Sequence, residues 1–120
     1  MKNKISEDEK RIMKVFDIKD TNKIPEKSYN AMKSYFYFLK KKLVFPIEGT
    51  FEKETGPLSS KTIPIKLYDL SDTYDDFYGV LVEGKTPERQ VVIPLVEFTS
   101  NDENCNFQII DDYKTWFCNW

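Results

Sequence analysis

Between Asp69 and Asp76 the sequence reads Asp-Leu-Ser-Asp-Thr-Tyr-Asp-Asp, four carboxylates within eight residues. Such groups repel one another unless water or a shared cation separates them. Calcium takes about six to eight oxygen ligands from carboxylates, carbonyls and water, and a flexible acidic loop can supply them. The same composition also suits an ordinary polar turn, because Asp and Ser bond their own neighbouring backbone. Both readings stay open on these residues alone. An EF-hand is excluded: counting from Asp69, the sixth position is Tyr74 rather than Gly and the twelfth is Val80 rather than Glu.

Other chemistry-bearing groups are weaker candidates. Asp102-Glu103-Asn104-Cys105-Asn106 begins like an EF-hand loop, but Phe107 and Tyr113 occupy its turn and bidentate positions. Asp and Asn ahead of an apolar helical run are expected as helix caps. Asp111 and Asp112 fall inside that run and are expected to face solvent. Lys40-Lys41-Lys42 could bind a phosphate, yet its place at a predicted helix end suits the negative end of the helix dipole. Cys105 and Cys118, if joined by helix, lie roughly 20 Å apart, too far for a disulfide. Cys118 is expected to be a small buried apolar group.

Composition narrows the function classes. The 120 residues contain no histidine, which removes imidazole acid-base steps, Ser-His and Cys-His nucleophiles, and the usual zinc, iron and copper sites. No enzyme signature remains. Eighteen basic and twenty acidic residues nearly cancel, giving a net charge of −2, with no basic face for nucleic acid. No apolar stretch approaches the ~20 residues that cross a bilayer, so no membrane partner is expected. Met1 to Asp8 lacks an apolar run, and two cysteines make no disulfide framework, so a cytoplasmic location is expected.

The elements that must position these groups follow from periodicity. Ser6 and Glu9 form a capping box ahead of Ile12, Val15 and Phe16, predicting a helix over 7–17. A second helix is expected from Pro25 to Lys42, its apolar face set by Met32, Tyr35, Phe36, Leu39 and Leu43. From 45 to 98 the period becomes two. Ile47, Gly49 and Phe51 alternate with Glu48, Thr50 and Glu52, and Gly56-Pro57 marks a turn. Ile63, Ile65 and Leu67 read as a second strand, placed at an edge by Pro64. Two more strands are expected over 77–82 and 90–95, joined by a polar loop from Gly84 to Arg89. The last segment returns to helical spacing through Phe107, Ile110, Tyr113 and Phe117. The fold class is therefore α+β, a small curled antiparallel sheet (SH3-like or a partial barrel) with N-terminal helices and a C-terminal helix. Residues 1–120 form one domain. The expected core includes Phe36, Leu39, Leu43, Ile65, Val80, Val82, Val92, Leu95, Ile110 and Trp116.

Three stretches together resemble the small non-EF-hand calcium-binding protein family first recognised in cyanobacteria. They are Tyr35-Phe36-Tyr37-Phe38-Leu39 with three lysines and Leu43-Val44-Phe45-Pro46-Ile47; the acidic segment from Asp69 to Asp76 with a strand after it; and Val92-Ile93-Pro94-Leu95 running on to Ile110-Asp111-Asp112-Tyr113-Lys114-Thr115-Trp116. The resemblance covers 30–117, within a core of 25–120, and leaves 1–24, the first helix and connector, outside. It implies a compact α+β fold, Ca2+ as the bound ion, and Asp69, Asp72, Asp75 and Asp76 as its ligands. The function expected is a weak calcium sensor or buffer using an acidic inter-strand loop. The alternative is a non-catalytic protein-interaction module on the same fold with the metal site lost.

Overall fold

A computed structural model describes residues 7–20, 23–75, 77–101 and 105–120. Helix α1 (Glu7–Val15) and helix α2 (Tyr29–Lys42) precede strands β1 (Ile47–Gly56), β2 (Ser59–Asp75), β3 (Gly79–Lys85) and β4 (Gln90–Pro94). A 3-10 turn, Leu95–Glu97, leads into β5 (Phe98–Ser100), and helix α3 (Cys105–Asn119) closes the chain. The strands form one open antiparallel sheet in the order β4-β3-β2-β1-β5. The expected fold class holds, with one strand more than the periodicity gave. β5 is only three residues long and pairs Phe98 with Phe51 and Ser100 with Gly49.

The helices pack on one face of the sheet because the apolar sides meet there. Met32, Tyr35, Phe36 and Leu39 from α2, and Ile110, Tyr113 and Trp116 from α3, are buried against Ile65, Leu67, Val80 and Val82 of the sheet. α2 starts later than Pro25 suggested. Ser28, in extended conformation, accepts a hydrogen bond from the Ala31 amide at 3.2 Å and caps the helix. The proposed cap at Ser6 lies outside the described residues, as do Asp102, Glu103 and Asn104. Asn106 makes two 3.0 Å bonds to the amide and carbonyl of Val44, tying the α2–β1 link to the first turn of α3.

Four expectations fail for identifiable reasons. Pro64 does not mark an edge strand, since β2 is the middle strand. It is tolerated because β2 pairs with β3 only from Lys66 onward, so Pro64 needs no donor on that side. Val92 is 56% exposed, as β4 turns Ile93 inward instead. Cys118 is exposed. Asp112 is 5% exposed, not solvent-facing, because Arg11 reaches across from α1 and pairs with it. Among the described residues, no helix is long and apolar enough to cross a membrane.

Candidate metal centre

The acidic segment is not a loop between strands. Asp69 to Asp75 belong to the second half of the 17-residue β2, paired with β3 through two irregularities. Leu67 faces Gly84 and Asp69 faces Glu83, so Tyr68 is an extra residue. Leu70 faces Val82 and Tyr74 faces Val80, which leaves Ser71, Asp72 and Thr73 opposite Leu81. Bulges of this kind add twist and re-aim side chains. Here Leu70 and Ser71 are buried consecutively, and Asp72 is thrown outward. Side chains brace the distortion: the Leu70 amide donates to Asp69 Oδ1 at 2.8 Å, and the Thr73 amide to Ser71 Oγ at 3.3 Å.

Asp69 and Glu83 are direct cross-strand partners and both are exposed. Opposed side chains in such pairs stand about 5 Å apart at Cβ, and like charges there repel. Glu83 is a group that sequence reading missed; the hairpin register, not the local composition, brings it to the acidic segment. Of the expected ligands, Asp69 and Asp72 are described in full. Asp75 is described by its backbone, opposite Gly79, and its side chain and the whole of Asp76 lie outside the described residues. Among the described residues no three His, Cys, Asp or Glu side chains are gathered closely enough to hold a metal. By type, though not by their spacing, the described donors suit a hard cation. Asp72 makes no hydrogen bond or ion pair among the described residues, and Asp69 and Glu83 add further carboxylate oxygens.

The turn end of the segment is fastened to helices on both strands. Tyr74 packs on Phe36 and Tyr29 of α2, with ring centroids 4.9 and 5.7 Å apart. Desolvation, then a hydrogen bond to Tyr29, raises the Tyr74 hydroxyl above its ordinary pKa. Beyond the turn, Gly79 has φ +73° and the Val80 amide donates to the Tyr113 hydroxyl at 2.8 Å. The turn itself presents Phe77 and Tyr78, which are 78% and 52% exposed. Of the three lysines, Lys40 stands over Phe36, the ring on which Tyr74 packs, at 5.9 Å. Lys41 and Lys42 line a separate cleft against α1 and α3.

The family model of CcbP, described as calcium binding, matches residues 18–117. The chain belongs to the CcbP calcium-binding family. Two solved structures share the fold. The crystal structure of Anabaena CcbP superposes with a TM-score of 0.69 at 15% identity, covering 95% of this chain and 92% of that one. A structure described as a calcium binding protein in the calcium-binding form gives a TM-score of 0.66 at 17% identity, covering 92% and 89%. At such identities the likeness carries the fold of CcbP and not its individual side chains. No curated protein sequence matches the chain.

Proposed function

We propose that this member of the CcbP family is a weak calcium sensor or buffer whose ion is held at the bulged end of β2. Calcium as the ion comes with the family. The observation that supports this location is the opposition of Asp69 and Glu83 across neighbouring strands, with Asp72 turned outward three residues further along the bulged strand. Carboxylates set against one another in this way gain most from a shared divalent cation. Asp69, Asp72, Asp75 and Asp76 are the proposed ligands, completed by backbone carbonyls and water, with Glu83 contributing negative charge from the neighbouring strand. No imidazole or thiolate donor is involved, in keeping with calcium's preference for oxygen.

The affinity expected is on the order of 10⁻⁵ to 10⁻³ M, since the segment lacks the bidentate Glu of the EF-hand pattern. Calcium at ten times its Kd then stabilises the fold by about 1.4 kcal/mol through mass action, and magnesium does so less because it demands a tight octahedron. The test compares wild type with Asp72→Asn plus Asp75→Asn by melting temperature and calorimetry at fixed ionic strength. The double variant should lose most of the calcium response. An equal response in both proteins would remove the acidic segment from the site.

A second reading, a protein-interaction module with the metal site lost, is favoured by the exposed Phe77–Tyr78 pair at the same turn. It requires wild type to be indifferent to millimolar-range calcium in that titration.

A further inference from the structure

The lysine run at the end of α2 exceeds what the helix dipole asks for. A helix carboxyl end carries roughly half a negative charge, which one lysine offsets. Lys41 and Lys42 instead line a cleft of about 490 Å³ where α1, α2 and α3 meet, together with Arg11 and Lys14 of α1. Among the described residues Asp112 is the one acidic group in its wall, and its charge is already taken. Arg11 donates to its carboxylate through Nε at 2.6 Å and Nη2 at 3.1 Å, and Gln108 through Nε2 at 3.1 Å. Among the described residues, Lys14, Lys41 and Lys42 have no carboxylate partner. Three lysines without a carboxylate partner among the described residues therefore line one cavity.

The floor of the cleft is apolar, formed by Val15, Phe38 and Ile109. Tyr35 lines it as well. That residue is fully buried, and among the described residues its hydroxyl has no hydrogen-bond partner. Burial foremost, then the charge of Asp112, pushes the hydroxyl far above the ordinary tyrosine pKa, so it remains a proton donor at neutral pH. A buried donor left unmatched is rare and calls for a reason.

We propose that this cleft is a binding site for a small soluble phosphate monoester with an apolar body. The lysines suit phosphate oxygens as point charges. The apolar floor suits the ester group, Tyr35 supplies a further donor, and the volume lies in the usual range for small-molecule pockets of about 300–1,000 Å³. The site is independent of the acidic segment and of calcium.

Phenyl phosphate is the probe, titrated by calorimetry into the full chain in calcium-free buffer. Wild type should bind one equivalent saturably, more weakly as salt rises. Lys14→Gln plus Lys41→Gln, both exposed positions, should weaken binding by about tenfold or more, the effect of losing charge-assisted hydrogen bonds. Lys53→Gln plus Lys61→Gln removes the same charge from the β1–β2 hairpin and should change affinity by less than about twofold, as expected of distant sites. Tyr35→Phe should melt higher than wild type, because the unmatched hydroxyl is gone, and yet bind more weakly. The assignment is overturned by absence of saturable heat in wild type, by equal losses in the two lysine pairs, or by unchanged affinity in Tyr35→Phe. Vesicles of phosphatidylcholine and phosphatidic acid carry the same headgroup chemistry, and the chain should not sediment with them. Sedimentation lost in the Lys14/Lys41 variant would overturn the assignment to a soluble ester.

Discussion

Trp116→Ala should destabilise the fold by about 3–5 kcal/mol, the usual range for truncating a buried aromatic side chain. Trp116 is fully buried where the three helices meet. Its ring centroid lies 5.5 Å from that of Phe16, 5.0 Å from that of Tyr35 and 6.2 Å from that of Tyr113, so it touches the residue just after α1, the middle of α2 and its own helix. The indole Nε1 also donates to the Pro25 carbonyl at 3.0 Å, which fixes the link between α1 and α2. Alanine removes the ring, opens a cavity among other rings that cannot easily collapse, and leaves the Pro25 carbonyl without that donor. Urea denaturation should show a lower midpoint with a similar slope. Trp120, half-buried at the chain's end, is the comparison, and Trp120→Ala should cost about 1 kcal/mol or less. Similar losses at the two positions would mean that the helices do not depend on Trp116 for their junction.

Gly79→Ala is the second large effect, at about 2–4 kcal/mol. The backbone there has φ +73°, a left-handed conformation that costs a residue with a Cβ about 1–2 kcal/mol. The added carbon would collide with the Tyr113 hydroxyl and stand 2.7 Å from Phe117 Cε1. Tyr113 is not free to retreat, since its hydroxyl accepts the Val80 amide and packs against Met32 Sδ at 3.8 Å. Displacing it strands a buried amide, a further cost of about 1–3 kcal/mol. Gly56→Ala is the contrast: its φ is not in the left-handed region, and the nearest atom is the flexible Ser59 Oγ at 3.1 Å. Introducing Gly79→Ala into a Tyr113→Phe background should cost less than in wild type, because the colliding hydroxyl is absent. Strict additivity of the two substitutions would show that the steric account is wrong.

Helix α2 was legible because its face repeats from turn to turn: Met32, Tyr35, Phe36 and Leu39 are all buried, as the spacing requires. Its start was not, because proline at a first turn and serine at a cap are both good signals, and Ser28 won. The acidic segment was legible as composition and misread as a loop. Two bulges break the alternation between Leu67 and Tyr74, so a strand there shows no period of two. Glu83 was invisible as part of the site because its link to Asp69 is register, which no local window contains. Asp112 was misplaced for a similar reason: its partner, Arg11, is 101 residues away in sequence. The short β5 carries too few residues to display any pattern, and its pairing follows from Gly49, where a Cβ would run into the Thr99 carbonyl and the Phe98 ring.

The length of β2 has a consequence for how the molecule opens. Its first half, from Ser59 to Leu67, pairs with β1, and its second half, from Lys66 to Asp75, pairs with β3. Only Lys66 and Leu67 are flanked on both sides. Strand β2 thus splices two hairpins, β1–β2 and β2–β3, end to end and is not zipped to both neighbours along its full length. Fraying at the Gly56 turn need not disturb pairing near Asp75, and the reverse holds too. Amide hydrogen exchange should be slowest at that two-residue splice and rise toward either tip of β2. An ion held at the bulged end would slow exchange there while leaving the opposite tip unchanged.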